Sequence, residues 1–357
     1  MKNIAILTIN DNTNYGNRLQ NYALSQLLSQ FGNVTTILIS DHARTHERAI
    51  IKQTAKTMLR VMKARRQTVA ELTRSKRFYQ FTNRYVPDDI VHISKDGAIH
   101  AKKRIDRVVI GSDQVWNYLW FSPSELKLLM GSSFPAHELL SYAASFGVDH
   151  LDDGVKPLFK QYLSRIPHLS VREEAAVDII ESLLEEKPQL VLDPTLAIEP
   201  AQWAQLAQRS AITPEKPYVL TYFLGAPTQE QNSYIHAYAK KHGLEVRAIN
   251  NPKDASYSSG PIEFVRLFQD ASYVFTDSFH ACCFSVIFNK GFQVFNRNSK
   301  IKKTLNSRME TLFSELQIEN TMNRLDVYPF PDYAAVDTRL QQLREDSITW
   351  LKNALAS

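Results

Sequence analysis

The chain holds two cysteines in 357 residues, and they are neighbours, Cys282 and Cys283. Adjacent thiols inside an apolar stretch read as core residues. A disulfide framework and a cysteine zinc site are therefore excluded, and a reducing, cytoplasmic compartment is expected. Glycine is scarce, with 11 residues, well below the usual ~7%. Neither GxGxxG nor GxxxxGK[ST] occurs, so a dinucleotide-binding turn and a P-loop have no support. No HExxH is present and no DxD follows a strand; Asp88-Asp89 and Asp152-Asp153 are adjacent pairs. No metal is expected. No apolar run approaches the length of a membrane span. Met1-Lys2-Asn3 leads straight into a short strand rather than a signal-peptide core.

What is present describes a soluble globular chain, 44% apolar and 22% charged, long enough for two domains. Its net charge of +5 is unevenly spread. Residues 41–85 carry twelve Lys/Arg against Asp41, Glu47 and Glu71, a local charge of +9. Ile50, Ile51, Met58, Leu59, Val61, Met62, Val69 and Leu72 form an interrupted helical stripe within it. A basic amphipathic helix can lie on an anionic membrane surface or bind a polyanion. The same pattern describes a solvated helix covering one face of a domain, which is the plainer reading. No aromatic residue is interleaved with the basic ones before Phe78, so no nucleic-acid partner is expected.

Strand and helix signals alternate throughout. Ile4–Ile9, Val34–Ile39 and Arg107–Ile110 are apolar strands, followed by short ones at Leu139–Ala144, His168–Val171 and Gln189–Leu192. Helical spacing runs from Leu19 to Phe31, where Gly32 ends it, and recurs near 152–165 and 173–186. Such a βαβ series predicts a mostly parallel sheet with helices on both faces. Residues 199–217, one helix between prolines, read as a join. The pattern then repeats, with strands at 218–224, 244–249, 273–276 and 292–295. Helices fall at 229–242, at 261–269 and, last, at about 337–355. The expected architecture is α/β: a Rossmann-like unit over 1–198, another over 218–357, and a closing C-terminal helix. Two such units facing a cleft give the GT-B-like arrangement, with both sets of strand carboxyl ends turned inward.

Four stretches lie at those strand ends. Asp277-Ser278-Phe279-His280 joins the strand Tyr273–Thr276 to an apolar helix. Free N–H groups there bind anions, and the helix N-terminus disfavours imidazolium, leaving His280 neutral and able to accept a proton. The plainer alternative is a capped helix, Asp277 or Ser278 at the N-cap, with a packed histidine. Ser170-Val171-Arg172-Glu173 ends a strand with an arginine that forks onto a carboxylate or phosphate, or pairs with the next helix. Gly111-Ser112-Asp113-Gln114-Val115-Trp116-Asn117 offers Asp113 to accept a hydroxyl proton and Trp116 to stack on a sugar. Asn14-Tyr15-Gly16-Asn17-Arg18-Leu19-Gln20 is rich in amides suited to sugar hydroxyls, or is simply an asparagine-capped turn.

These stretches, with Tyr142-Ala143-Ala144-Ser145-Phe146-Gly147 and Leu192-Asp193-Pro194-Thr195, occur in an order that resembles the polysaccharide pyruvyl transferase family over about residues 4–296. The resemblance implies phosphoenolpyruvate as donor and co-substrate, without a further cofactor, and a pyruvate ketal formed on a hexose of a surface glycan. It makes the C-terminal unit the donor side, and Arg172 of the N-terminal unit with Ser278, Phe279 and His280 the donor-binding residues. His280 and Asp113 become the catalytic residues. The N-terminal unit becomes the acceptor side, through Asn14, Tyr15, Asn17, Gln20, Ser112 and Trp116. The acceptor is a glycan or lipid-linked oligosaccharide, which would bring the chain to the inner membrane face. The family's second donor motif is Arg-x-His; here Ser278 stands where that arginine is expected. Arg266, Arg297, Lys300 and Lys302 are the candidate replacements. A sugar-nucleotide glycosyltransferase and a non-catalytic glycan-binding relative remain the alternatives.

Overall fold

The computed structural model describes residues 1–39, 66–86, 91–298 and 307–357. Most of the basic segment therefore lies outside the described residues, including Ile50 to Met62, as do Lys300 and Lys302. Its final part is a helix.

Eight strands build the first half: β1 (Lys2–Leu7), β2 (Gly32–Ile39), β3 (Val91–Ile93), β4 (Ile99–Ala101), β5 (Arg107–Ile110), β6 (Leu139–Ser141), β7 (Ser170–Val171) and β8 (Gln189–Leu190). Six of them form a sheet in the order β4-β3-β2-β1-β5-β6, parallel except at β4. Single bridges from Asp113 to Ala144 and from Ala144 to Val171 carry it on to β7 and β8. Ile4 to Leu7 and Val108 to Ile110 are wholly buried, as continuous apolar strands covered on both faces must be. The order reverses between β1 and β5, so the loops after these two strands part and leave a crevice at their carboxyl ends. Thr8 and Gly111-Ser112-Asp113 occupy it, tied by a bond from Thr8 Oγ1 to the Ser112 carbonyl.

The second sheet contains β9 (Tyr218–Tyr222), β10 (Glu245–Ala248), β11 (Tyr273–Thr276) and β12 (Gly291–Val294). Its order is β10-β9-β11-β12, all parallel. The reversal between β9 and β11 places Phe223-Leu224-Gly225 and Asp277-Ser278 at a second crevice. Two doubly wound parallel sheets are thus the architecture, as the sequence pattern predicts. The antiparallel β4 has no counterpart in that pattern.

The helices are α1 (Tyr15–Leu28), α2 (Arg66–Tyr85), α3 (Pro123–Leu129), α4 (Lys156–Leu163), α5 (Glu174–Leu184), α6 (Pro194–Ala197), α7 (Pro200–Ala207), α8 (Gln229–His242), α9 (Pro261–Asp270), α10 (Phe279–Ile287), α11 (Ser307–Glu315) and α12 (Tyr333–Ala356). None is long and apolar enough to cross a membrane, among the described residues. Composition explains their limits. Proline opens α9 at its first turn, where a missing N–H costs nothing, and Gly243 ends α8 with φ 66°. The closing helix begins four residues earlier than expected, at a capping Asp332. It runs back to the first sheet, where Ser347 Oγ accepts from the Leu192 N–H and Arg344 donates to the Leu196 carbonyl.

One apolar cluster joins the two sheets, drawing Tyr15 and Tyr22 from α1, Phe78 and Phe81 from α2, Phe264 from α9 and Phe284 from α10. Trp203 of α7 sits at its centre, edge-on to Tyr22 at 5.5 Å and to Phe284 at 4.9 Å. Its indole N–H reaches the Thr195 carbonyl at 2.9 Å. Trp203→Ala is expected to cost about 3–5 kcal/mol, the usual range for emptying a buried tryptophan site. Urea unfolding measures this, and an unchanged midpoint would show that the indole contributes nothing to the join.

Candidate active site

The strand-end motifs converge on one guanidinium. Arg172 leaves β7 with its side chain fully enclosed. Its Nη1 donates to Asp193 Oδ2 at 2.6 Å and lies 3.3 Å from Ser112 Oγ. Asp193 holds its place as the N-cap of α6, accepting from the N–H and the hydroxyl of Thr195 at 2.9 and 2.7 Å. Asp113 Oδ1 stands 3.5 Å from Arg172 Nη2, and Glu173 Oε2 3.7 Å from its Nε. The principal partner is therefore Asp193, across the site, and not the acid that opens the next helix. Glu173 uses its other oxygen to accept from the Phe146 N–H at 3.0 Å.

Glycine makes two of these approaches possible. Gly111 has φ 125°, and a Cβ there would fall 2.2 Å from the Tyr142 carbonyl oxygen. Asp113 then turns with φ 71°, a conformation that aspartate tolerates better than most residues, and accepts from Asn17 Nδ2 at 2.9 Å. Gly16 lies in the first turn of α1, and a Cβ there would fall 2.1 Å from His280 Nδ1. The imidazole of α10 thus rests on bare backbone of α1, one helix start against another.

On its other edge His280 Nε2 is 3.8 Å from Asp193 Oδ2, beyond hydrogen-bond reach. Burial pushes the imidazole pKa below its ordinary value; Asp193 and Asp113 oppose this, and Arg172 and Arg308 reinforce it. This favours the neutral ring near pH 7, with burial and not the helix start as the leading cause. For Asp113 and Asp193 the order of forces gives the opposite outcome. Burial acts to raise both, yet Arg172 first and His280 next outweigh it and hold both carboxyls below the usual range. Ser278 is the N-cap of α10 but makes no side-chain capping bond. Asp277 does not cap either: its carboxylate accepts from the N–H groups of Leu224 and Gly225 at 2.6 and 2.8 Å, pinning the second crevice.

Phe279 opens α10 and is flanked by two cations. Arg172 Cζ lies 4.8 Å from its ring centroid and Arg308 Cζ 5.6 Å. Arg308 comes from α11 and belongs to no motif in the sequence. Of the replacements considered for the arginine absent at position 278, Arg266 is bound to Asp270 at 2.6 Å on α9. Arg297 stands 3.8 Å from Asp277.

Ser112, Asp113, Asn17, Arg172, Ser278, Phe279 and His280 are thus brought together. Three expected acceptor contacts are corrected. Trp116 is wholly buried and packs against Phe146 at 5.3 Å, so it has no face for a sugar. Tyr15 is equally buried, stacked on Phe264 at 4.5 Å with its hydroxyl on the Ser259 carbonyl. Gln20 lies beneath the loop, donating to Thr8 Oγ1 and to the Asn17 carbonyl. All three follow the loop inward, where apolar or already bonded surroundings claim them. Asn14 remains at the rim as the N-cap of α1. Among the described residues no group of three or more His, Cys, Asp or Glu could hold a metal ion. Both cysteines are free and buried.

Gly16→Ala is expected to expel the His280 ring from its seat and return its pKa toward the ordinary ~6.5. An NMR titration of that imidazole checks this, and an unshifted titration curve would contradict the contact. A second expectation concerns acid. The folded pKa values of Asp113 and Asp193 lie below the unfolded ~3.9, so both carboxylates stabilise the fold above about pH 4. That contribution disappears as pH falls toward the folded values. The urea midpoint should drop as pH falls below about 4. Asp193→Asn should lower stability at pH 7 by about 3–5 kcal/mol, because it strips a buried cation of its main partner, and should flatten the acid drop.

No curated protein sequence matches this chain. Its architecture is similar to several solved structures at low identity. UDP-GlcNAc 2-epimerase of Methanocaldococcus jannaschii matches at 12% identity over 96% of this chain and 99% of that one, with a TM-score of 0.46. ADP-heptose lipopolysaccharide heptosyltransferase II of E. coli matches at 12% identity over 96% and 99%, with a TM-score of 0.36. The wall teichoic acid polymerase TagF matches at 12% identity over 98% and 83%, with a TM-score of 0.45. The sequence model of one family, polysaccharide pyruvyl transferase, spans residues 14–299. That span takes in Asn17, Asp113, Arg172, Asp193 and His280, and the chain belongs to the polysaccharide pyruvyl transferase family.

Proposed function

We propose that this transferase moves pyruvate from phosphoenolpyruvate onto two hydroxyls of a hexose, as a cyclic ketal, on a surface glycan or its lipid-linked precursor. The observation that carries this reading is a neutral, buried histidine seated between a carboxylate network and the uncapped start of α10, beside the Arg172 guanidinium. The donor is a small molecule with a phosphate and a carboxylate. Free N–H groups of a helix start and arginine forks are the groups suited to such anions.

The chemistry needs three proton movements. The donor's methylene carbon takes a proton, leaving cationic character at the adjoining carbon. A sugar hydroxyl attacks that carbon as it loses its own proton, and phosphate departs with the bonding pair. A second hydroxyl closes the ketal and gives up the last proton. His280, neutral at rest, first takes a proton from solvent and then passes it to the methylene carbon, from a place that touches both halves of the site. Asp113, ionised and joined to Asn17 of the other helix, accepts from the incoming hydroxyl. Arg172 holds donor charge while Asp193 fixes its orientation. Preorganised cations and helix dipole offset the charge without further reorganisation.

A second reading, transfer from a sugar nucleotide, is favoured by one observation. A cavity of about 500 Å³ opens at the carboxyl ends of β9 and β10, lined by Phe223, Gly225, Asn232, His236 and Asn250, and is roomier than a three-carbon donor needs. Thermal shifts with phosphoenolpyruvate, UDP and GDP separate the readings, because a ligand stabilises only the state that binds it. Stabilisation by none of the three would favour a non-catalytic glycan-binding relative.

The deciding experiment is incubation with labelled phosphoenolpyruvate and candidate glycans, followed by mass analysis for an added ketal and assay of released phosphate. His280→Ala should remain folded and lose about 10²–10⁴-fold in turnover, the usual contribution of a positioned proton carrier. Turnover near wild type would remove His280 from the mechanism. Arg172→Lys should raise the donor KM, since lysine keeps charge and loses the planar fork. Unchanged donor affinity would leave Arg172 as a structural ion-pair partner alone.

A further inference from the structure

Burying a guanidinium is costly unless something pairs with it. Arg308 is only 4% exposed, and among the described residues it forms no ion pair. Its Nε is enclosed without a hydrogen-bond partner. Arg172, over the same Phe279 ring, also has Nε and Nη2 enclosed without hydrogen bonds, with Glu173 Oε2 and Asp113 Oδ1 standing 3.7 and 3.5 Å away. Glu173 and Asp113 act on Arg308 from a distance, while Arg172 and Arg297 oppose its charge. Burial, then Arg172, pushes its pKa down to about 10. A fold gains little by enclosing Arg308 beside another arginine with no acid of its own. The arrangement makes sense when an anion completes it. A crevice of about 160 Å³ borders the pair, lined by Arg172, Asp193, Leu196, Phe279, Arg308 and Thr311. With Asp193, Glu315 and Asp346 also line it, and Asp193 is already taken by Arg172, so the cation left for an anion is Arg308.

We infer that Arg308 is the second guanidinium of an anion subsite shared with Arg172 and the first turn of α10, and that it binds the phosphate or carboxylate of a small donor. It thereby does from α11 what an arginine at position 278 would do from the helix start. The inference rests on the donor reading above only for the identity of the anion; the subsite itself rests on the geometry.

The test compares wild type, Arg308→Gln and Arg308→Lys by thermal shift and calorimetry with inorganic phosphate, phosphoenolpyruvate and UDP. Phosphate and phosphoenolpyruvate should raise the wild-type Tm. Arg308→Gln should leave the unliganded Tm equal or higher, since it removes a buried cation facing another. It should weaken phosphoenolpyruvate binding about 10- to 100-fold, the loss of one charge-assisted pair, with Arg308→Lys intermediate. A structural arginine would give the reverse, a lower unliganded Tm with unaltered anion affinity, and that result overturns the inference. No response of the wild type to phosphate or phosphoenolpyruvate overturns it as well. If Arg308→Gln does not fold, Arg308→Lys decides: wild-type affinity in that variant refutes the subsite. If phosphate binding depends on Arg308 and phosphoenolpyruvate binds no tighter than phosphate, the subsite stands and the donor reading fails.

Discussion

The site is organised by the ion pair between Arg172 and Asp193. Both side chains are fully enclosed and meet at 2.6 Å. Removing two charges from water is expensive, and the attraction between them repays it only when the remaining polar atoms also find partners. That requirement recruits the neighbours. Ser112 and Thr195 satisfy Asp193, while Asp113 and Glu173 surround the guanidinium. Through this one pair the ends of β5 and β7 and the starts of α6 and α10 are held in register.

Such a pair also sets what the site offers to a ligand. Arg172 is already compensated by three carboxylates, so it draws an anion only with the help of other positive groups. The unsatisfied positive character lies at the uncapped start of α10 and at Arg308. The neutral state of His280 follows from the same environment: burial and two neighbouring arginines outweigh two carboxylates. Fixed charges therefore surround a histidine that remains free to change its protonation.

Much of this was legible beforehand because strand-end motifs are short-range signals. Gly111-Ser112-Asp113, Arg172 and His280 each follow an apolar run, and parallel sheets bring carboxyl ends to one side. Helix limits at Pro261 and Gly243 were readable for the same local reason. Arg308 was not, since a lone basic residue on an amphipathic helix looks solvated until tertiary packing encloses it. Trp116 and Tyr15 show the opposite failure. An aromatic residue beside a crevice serves equally as a platform or as its floor, and only the position of Phe146 or Phe264 decides. Serine at position 278 marked a missing charge, but its replacement lies thirty residues onward, on another element.

The contact between Gly16 and His280 has a consequence for how the two halves fit. His280 belongs to the half built on the second sheet, and the surface it rests on, Gly16, belongs to the half built on the first, with no side chain between them to adjust. A half carrying any side chain at position 16 would meet the imidazole of the other half with an overlap of a single atom. The two halves are therefore fitted to each other at this seam as closely as two residues of one helix are.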